Sequence, residues 1–227
     1  MCFSASASFT ASTCLIPIGI YCITEVKKRN EAYLPIASLP LFFGIQQGFE
    51  GFVWLSIVFE NTIAVNNFAL CFLFFSYFFW LFWIPFSAFL IEENLFIKRG
   101  LRFFTVLGFL YGALLYFPLL INDSWLEIKV VNHSIKYLTY FIFNPITPHN
   151  FSVYFYVLIV LAPLIISSIK TINFLGILLI LAASVAYFYF HYTFISVWCF
   201  MAAVVSIYLV KAIANIPQSN HQSIVKQ

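Results

Sequence analysis

The chain has 227 residues, 63% of them hydrophobic and 8% charged, with a net charge of +3 and a mean hydropathy of +0.98. Ordinary soluble domains carry roughly 25% charged residues, so this composition excludes a soluble globular fold and describes an integral membrane protein whose first partner is the lipid bilayer. The small positive charge is too weak and too scattered to be a nucleic-acid footprint, and nucleic acid is excluded as a partner.

A spanning helix needs about 20 predominantly apolar residues. Seven windows qualify: 8–26, 33–58, 64–91, 103–121, 151–169, 172–190 and 193–214. Only the stretch around FHYTF separates the last two. Together they would make a rod of about 65 Å, twice the hydrocarbon thickness, so the join predicts a tight turn, with six helices as the fallback count. The expected fold is an all-α bundle of seven transmembrane helices over residues 1–214, followed by a cytoplasmic tail at 215–227.

The opening, MCFSASASFTASTCLIPIGIYC, places small residues before an apolar run but has no basic residues ahead of it, and the residue before Cys22 is Tyr21. The N-terminus is therefore expected to be retained rather than cleaved as a signal or lipoprotein leader. Lys27, Lys28, Arg29, Lys98, Arg99, Arg102, Lys170, Lys211 and Lys226 all fall on one side of a seven-helix chain, and only Lys129 and Lys136 on the other. The rule that basic loops stay inside then predicts the N-terminus out and the C-terminus in.

The second window contains FGIQQGFEGFVW. Gln47, Glu50 and Trp54 recur at helical spacing with Gln46 beside them, which predicts a polar stripe aimed into the bundle in the half nearer the outer surface. Gly44, Gly48 and Gly51 on the same helix would let a neighbouring backbone approach. Residues 122–150 form the one sizeable loop. Its LEIKVV and IKYLTYF segments alternate around NHS, predicting a β-hairpin across the outer mouth of the bundle, with His133 and Tyr137 as lid residues; Asn144, Pro145, Pro148 and Asn150 punctuate the chain after it.

The seventh window, FISVWCFMAAVVS, repeats Ser196, Cys199, Ala203 and Ser206 at three and four, a small and mildly polar face expected opposite the stripe. With Cys2, Ser4, Ser6 and Ser8 at the N-terminus, these residues suggest an outward-side pocket around Glu50. Its candidate lining is Gln46, Gln47, Glu50, Trp54, Cys2, Ser4, Ser196, Trp198 and Cys199. Each also has a plainer reading: Glu50 as a structural carboxyl, the glutamines as interhelical glue, Trp54 and Trp198 as interface anchors or core. For Cys2 and Cys199 a disulfide, simple packing, a metal site with Glu50 or His133, and a reactive Cys2 thiol all stay open.

The segments MCFSASASF, FGIQQGFEGFVW and SVWCFMAAVVS resemble the hallmark segments of an uncharacterised bacterial family of multi-pass membrane proteins, a domain of unknown function. The resemblance implies the bacterial inner membrane and marks Cys2, Gln46, Gln47, Glu50, Trp54, Ser196, Trp198 and Cys199 as family-pattern positions, but supplies no activity or cofactor. A seven-helix layout is shared with rhodopsin-like proteins and with membrane hydrolases related to ceramidases. The seventh window, however, has no lysine before Lys211, and the chain has no His-x-x-x-His pair. Three functions remain: binding of a small ligand, ion or lipid headgroup near Glu50; an enzyme using Glu50 with Cys2 or a metal; and a structural or assembly role.

Overall fold

The computed structural model describes residues 4–131, 133–140 and 149–216. Helix α1 (Ala5–Arg29) begins where the Ser4 side chain accepts a hydrogen bond from the Ala7 N–H, and it ends in Lys27, Lys28 and Arg29. The start satisfies an orphan donor, and the end places cations against the negative pole of the helix. A short turn leads into α2 (Leu34–Ala37) and α3 (Leu39–Val58), each with a proline in its first turn, where the missing N–H costs nothing.

Helix α4 (Thr62–Leu73), capped by Asn61, runs through a widened turn at Phe74–Phe79 into α5 (Trp80–Ile91). Within that turn the Trp80 N–H reaches back five residues to Phe75 O. Helix α6 (Leu95–Ile121) is followed by an antiparallel hairpin of β1 (Leu126–Val131) and β2 (Ser134–Thr139), with Leu126 opposite Thr139 and Val131 opposite Ser134. The chain closes with α7 (His149–Ile166), α8 (Lys170–Tyr189), α9 (Phe194–Ser206) and α10 (Tyr208–Ala214).

Among the described residues, six helical segments are long and apolar enough to cross a bilayer: Ala5–Arg29, Glu31–Val58, Thr62–Ile91, Leu95–Ile121, Lys170–Tyr189 and Phe194–Ala214. They make the chain a multi-pass membrane protein. The remaining expected window, 151–169, is a helix too, α7, but its apolar part, Ser152–Ile166, is shorter. The expected break between the last two windows is present as a single turn at His191–Thr193. Large side chains such as Phe103, Phe109 and Phe117 of α6 point outward, where lipid replaces the core.

The glycines of α3 serve α1, not the polar face. A Cβ at Gly44 would lie 3.0 Å from Ile16 N, and one at Gly48 would lie 3.2 Å from Ser12 Oγ. On α1, a Cβ at Gly19 would stand 2.3 Å from Leu41 N. The two helices approach so closely because each glycine leaves room for the residue opposite it on the other helix.

Two long-range ties fix the end of the bundle opposite the hairpin. Arg29 Nη1 donates to Ala214 O and Ile216 O at 3.2 and 3.4 Å, joining the end of α1 to the end of α10. Glu92, buried just past α5, accepts from Ser167 Oγ (3.1 Å), Ser168 N (2.8 Å), Asn94 N (3.1 Å) and Ser168 Oγ. Burial works to raise this carboxyl's pKa, but the bonds from Ser168, Asn94 and Ser167 outweigh it and hold the group below its ordinary value. A depressed pKa contributes stability above the unfolded value of about 4.3, lost as pH falls through the folded value. Glu92→Gln should therefore lower the unfolding midpoint at neutral pH. The gap to wild type should close on acidification below about pH 4, as thermal melts in detergent across that range would record; a gap independent of pH would detach the carboxylate charge from the clamp.

Candidate functional site

Gln46 and Glu50 stand one turn apart on α3 and are fully buried. Gln46 is held at both ends. Its Nε2 donates to Ser76 Oγ at 2.8 Å, and its Oε1 accepts from Trp80 Nε1 at 2.8 Å. An indole N–H only donates, so the amide orientation is fixed by chemistry. Ser76 in turn donates to Phe72 O at 3.3 Å and lies 3.5 Å from Cys199 Sγ. Glu50 Oε1 accepts from Ser196 Oγ at 2.5 Å. Two side chains of α3 thus fasten the widened turn on one side and α9 on the other.

The widened turn explains Ser76 and Tyr77. A turn with one extra residue shifts the helical phase, and such bulges recur at functional sites. Here it brings both residues to the wall of a cavity of about 440 Å³ beneath the hairpin. Tyr77 OH lies 3.1 Å from Thr139 Oγ1, and Tyr137 stacks on Phe72 with centroids 5.0 Å apart; these contacts seat β2 over the opening. Ser196, Trp198 and Cys199 of α9 contribute to the same lining, as does Tyr156 of α7, whose ring meets Trp198 edge-on at 5.3 Å. The Trp198 Nε1 is buried with no hydrogen-bond partner among the described residues.

Among the described residues no carboxylate lines the cavity, and the one lining cation is Lys136. The Lys136 ammonium stands 5.2 Å from the centre of the Tyr192 ring. Its cross-strand neighbour Lys129 is paired with Glu127 at 2.7 Å; among the described residues Lys136 has no carboxylate within ion-pair distance.

The expected pocket residues are therefore distributed over two layers. Ser196, Trp198, Cys199 and Tyr137 line the cavity. Gln46 and Glu50 stand behind its floor and reach it through Ser76 and Ser196. Gln47 is buried, but neither end of its amide has a partner among the described residues. Trp54 is buried in the core and is not part of the lining. Ser4 caps α1 instead of facing the cavity. His133 occupies the hairpin tip with a left-handed φ of 57°, exposed and outside the lining; Tyr137 alone of the two proposed lid residues covers the space. Cys199 is a free thiol, and Cys2 lies outside the described residues, as do residues 141–148 and Lys226. Among the described residues no three His, Cys, Asp or Glu side chains gather as metal ligands would.

Sequence reasoning missed Ser76, Tyr77, Trp80 and Lys136. The signal for the first three was one serine and one tyrosine interrupting the aromatic run FLFFSYFFW.

Comparison with curated proteins and with solved structures finds no match. A family model described as a family of unknown function, DUF6629, matches residues 1–223. With that match covering nearly its whole length, the chain belongs to this family.

Proposed function

We propose that this membrane protein binds a small, largely apolar ligand in the cavity beneath the hairpin, with Glu50 and Gln46 holding the floor from behind. The observation that carries this is the cavity itself. At about 440 Å³ it falls within the size range of small-molecule sites, and an apolar wall with a few placed polar groups is their usual chemistry. Glu50 is then a positioning group acting through Ser196, which accords with the general rule that an intramembrane carboxyl marks function.

Seven crossings with the N-terminus out and the C-terminus in, within a bacterial inner membrane, complete the reading. Helix α7 is 18 residues long, about 27 Å, close to the hydrocarbon thickness. Its first turns line the cavity under β2, and the serines just beyond its last turn bind Glu92 at the opposite end. The Arg29 bonds to Ala214 and Ile216 supply a parity argument, because the first and last helices end on one side only if the number of crossings is odd.

The 2.5 Å contact between Glu50 and Ser196 favours one second reading, acyl transfer. Ser196 Oγ would attack an ester carbonyl while Glu50 takes the hydroxyl proton, and that proton would leave with the departing alcohol. Water would then release the acyl group. Hydrolysis of an ester by the purified protein, lost in Ser196→Ala, is the result that would select it.

The binding reading is tested by filling the space. Val153→Trp places an indole into the lining without touching α3. Small molecules extracted from purified wild type should be absent from this variant, while the unfolding midpoint stays close to that of wild type. The same extract from both proteins would remove the cavity from the account.

A further inference from the structure

We infer that the ligand is an amphipathic anion with a second polar group: its charge pairs with Lys136, its body lies along the aromatic wall, and a hydroxyl or carbonyl oxygen accepts from Trp198 at the floor. This rests on the binding reading and adds the chemical class of the ligand. Two donors of the lining lack acceptors among the described residues. Lys136 lines the cavity, and its ammonium stands 5.2 Å from the centre of the Tyr192 ring, a contact that stabilises a cation without neutralising it. The Trp198 N–H is buried and unbonded, and burying such a donor without a partner costs free energy that a ligand oxygen would recover.

Among the described residues the remaining wall supplies hydroxyls and apolar surface but no carboxylate to compete for Lys136. The cation Lys136 lies on β2 while Glu50 stands behind Ser196 at the floor, so an anion is drawn to the hairpin end. The two requirements fix an orientation: charge under the strand, neutral oxygen at the floor, apolar chain between. A fatty-acid-like hydroxy acid and an anionic lipid headgroup share this chemistry.

The experiment measures binding of 8-hydroxyoctanoate, octanoate and octane-1,8-diol to the purified full chain in phosphatidylcholine nanodiscs. The hydroxy acid should bind at least tenfold more tightly than either of the others. Lys136→Gln should erase its advantage over the diol, and Trp198→Phe, which keeps the ring and removes the N–H, should erase its advantage over octanoate. In phosphatidylglycerol discs, competition that Lys136→Gln relieves would identify an anionic lipid as the source of the ligand, and undiminished binding would identify a free acid; either supports the class. Equal binding of acid and diol by wild type, unchanged in Lys136→Gln, would overturn the inference while leaving a cavity that still excludes probes in Val153→Trp. Failure of all three probes to bind would overturn it together with the binding reading.

Discussion

Glu50→Gln is expected to leave the protein folded and to weaken ligand binding by about tenfold, equivalent to ~1.4 kcal/mol. Glu50 Oε1 accepts a hydrogen bond from Ser196 Oγ at 2.5 Å, which sets how the Ser196 hydroxyl is presented at the cavity wall. Glutamine keeps the shape but replaces one acceptor oxygen by an NH2 donor. The serine can then receive rather than give its hydrogen bond, turning its own proton toward the ligand. Interhelical hydrogen bonds in membrane proteins average about 0.6 kcal/mol, so the unfolding midpoint should move little. Measuring thermal unfolding and ligand affinity in the same preparation separates the two effects. A variant that unfolds far more easily yet binds normally would make Glu50 packing glue and nothing more.

Gly108→Val should act in the opposite way, through the scaffold. A Cβ at Gly108 would lie 1.9 Å from Leu81 O, and one at Gly112 would lie 3.0 Å from Phe78 Cα. These two glycines let α6 lie directly against α5 and the widened turn. The clash at Gly108 is with backbone, so no rotamer change relieves it; α6 must move away. The expected cost is about 3 kcal/mol, the upper part of the range for overpacking. Because the displaced element adjoins Ser76 and Tyr77, ligand binding should fall with stability. Gly100→Val on the same helix, where a Cβ meets nothing within 4 Å, should be silent in both assays. Equal melting points for Gly108→Val and wild type would mean that the close approach of α6 is not required.

The helices were legible because lipid leaves few choices: every backbone group must bond within its own segment, and a long apolar window becomes a helix. The hairpin was legible for a similar reason, since the alternation around Asn132 and His133 matches a strand period and His tolerates the left-handed turn position. Burial of Glu50 and Gln46 followed from their spacing. Their partners did not. Ser76 and Trp80 lie 30 and 34 residues from Gln46, and the widened turn that presents them breaks the 3.6-residue period from which faces are read. The division of α3 into a glycine face for α1 and a polar face for α9 was also hidden, because both residue classes recur at three and four. The cavity depends on five separate parts of the chain meeting, which no local pattern encodes.

The central claim is that ligand enters the space beneath β2. Photo-crosslinking with a diazirine-bearing octyl probe, followed by peptide mapping, tests it most directly. The account predicts adducts at Tyr137, Tyr156 and Phe194 in wild type, abolished by Val153→Trp. Adducts confined to the outward-facing Phe103, Phe109 and Phe117 of α6, and unaffected by Val153→Trp, would contradict it.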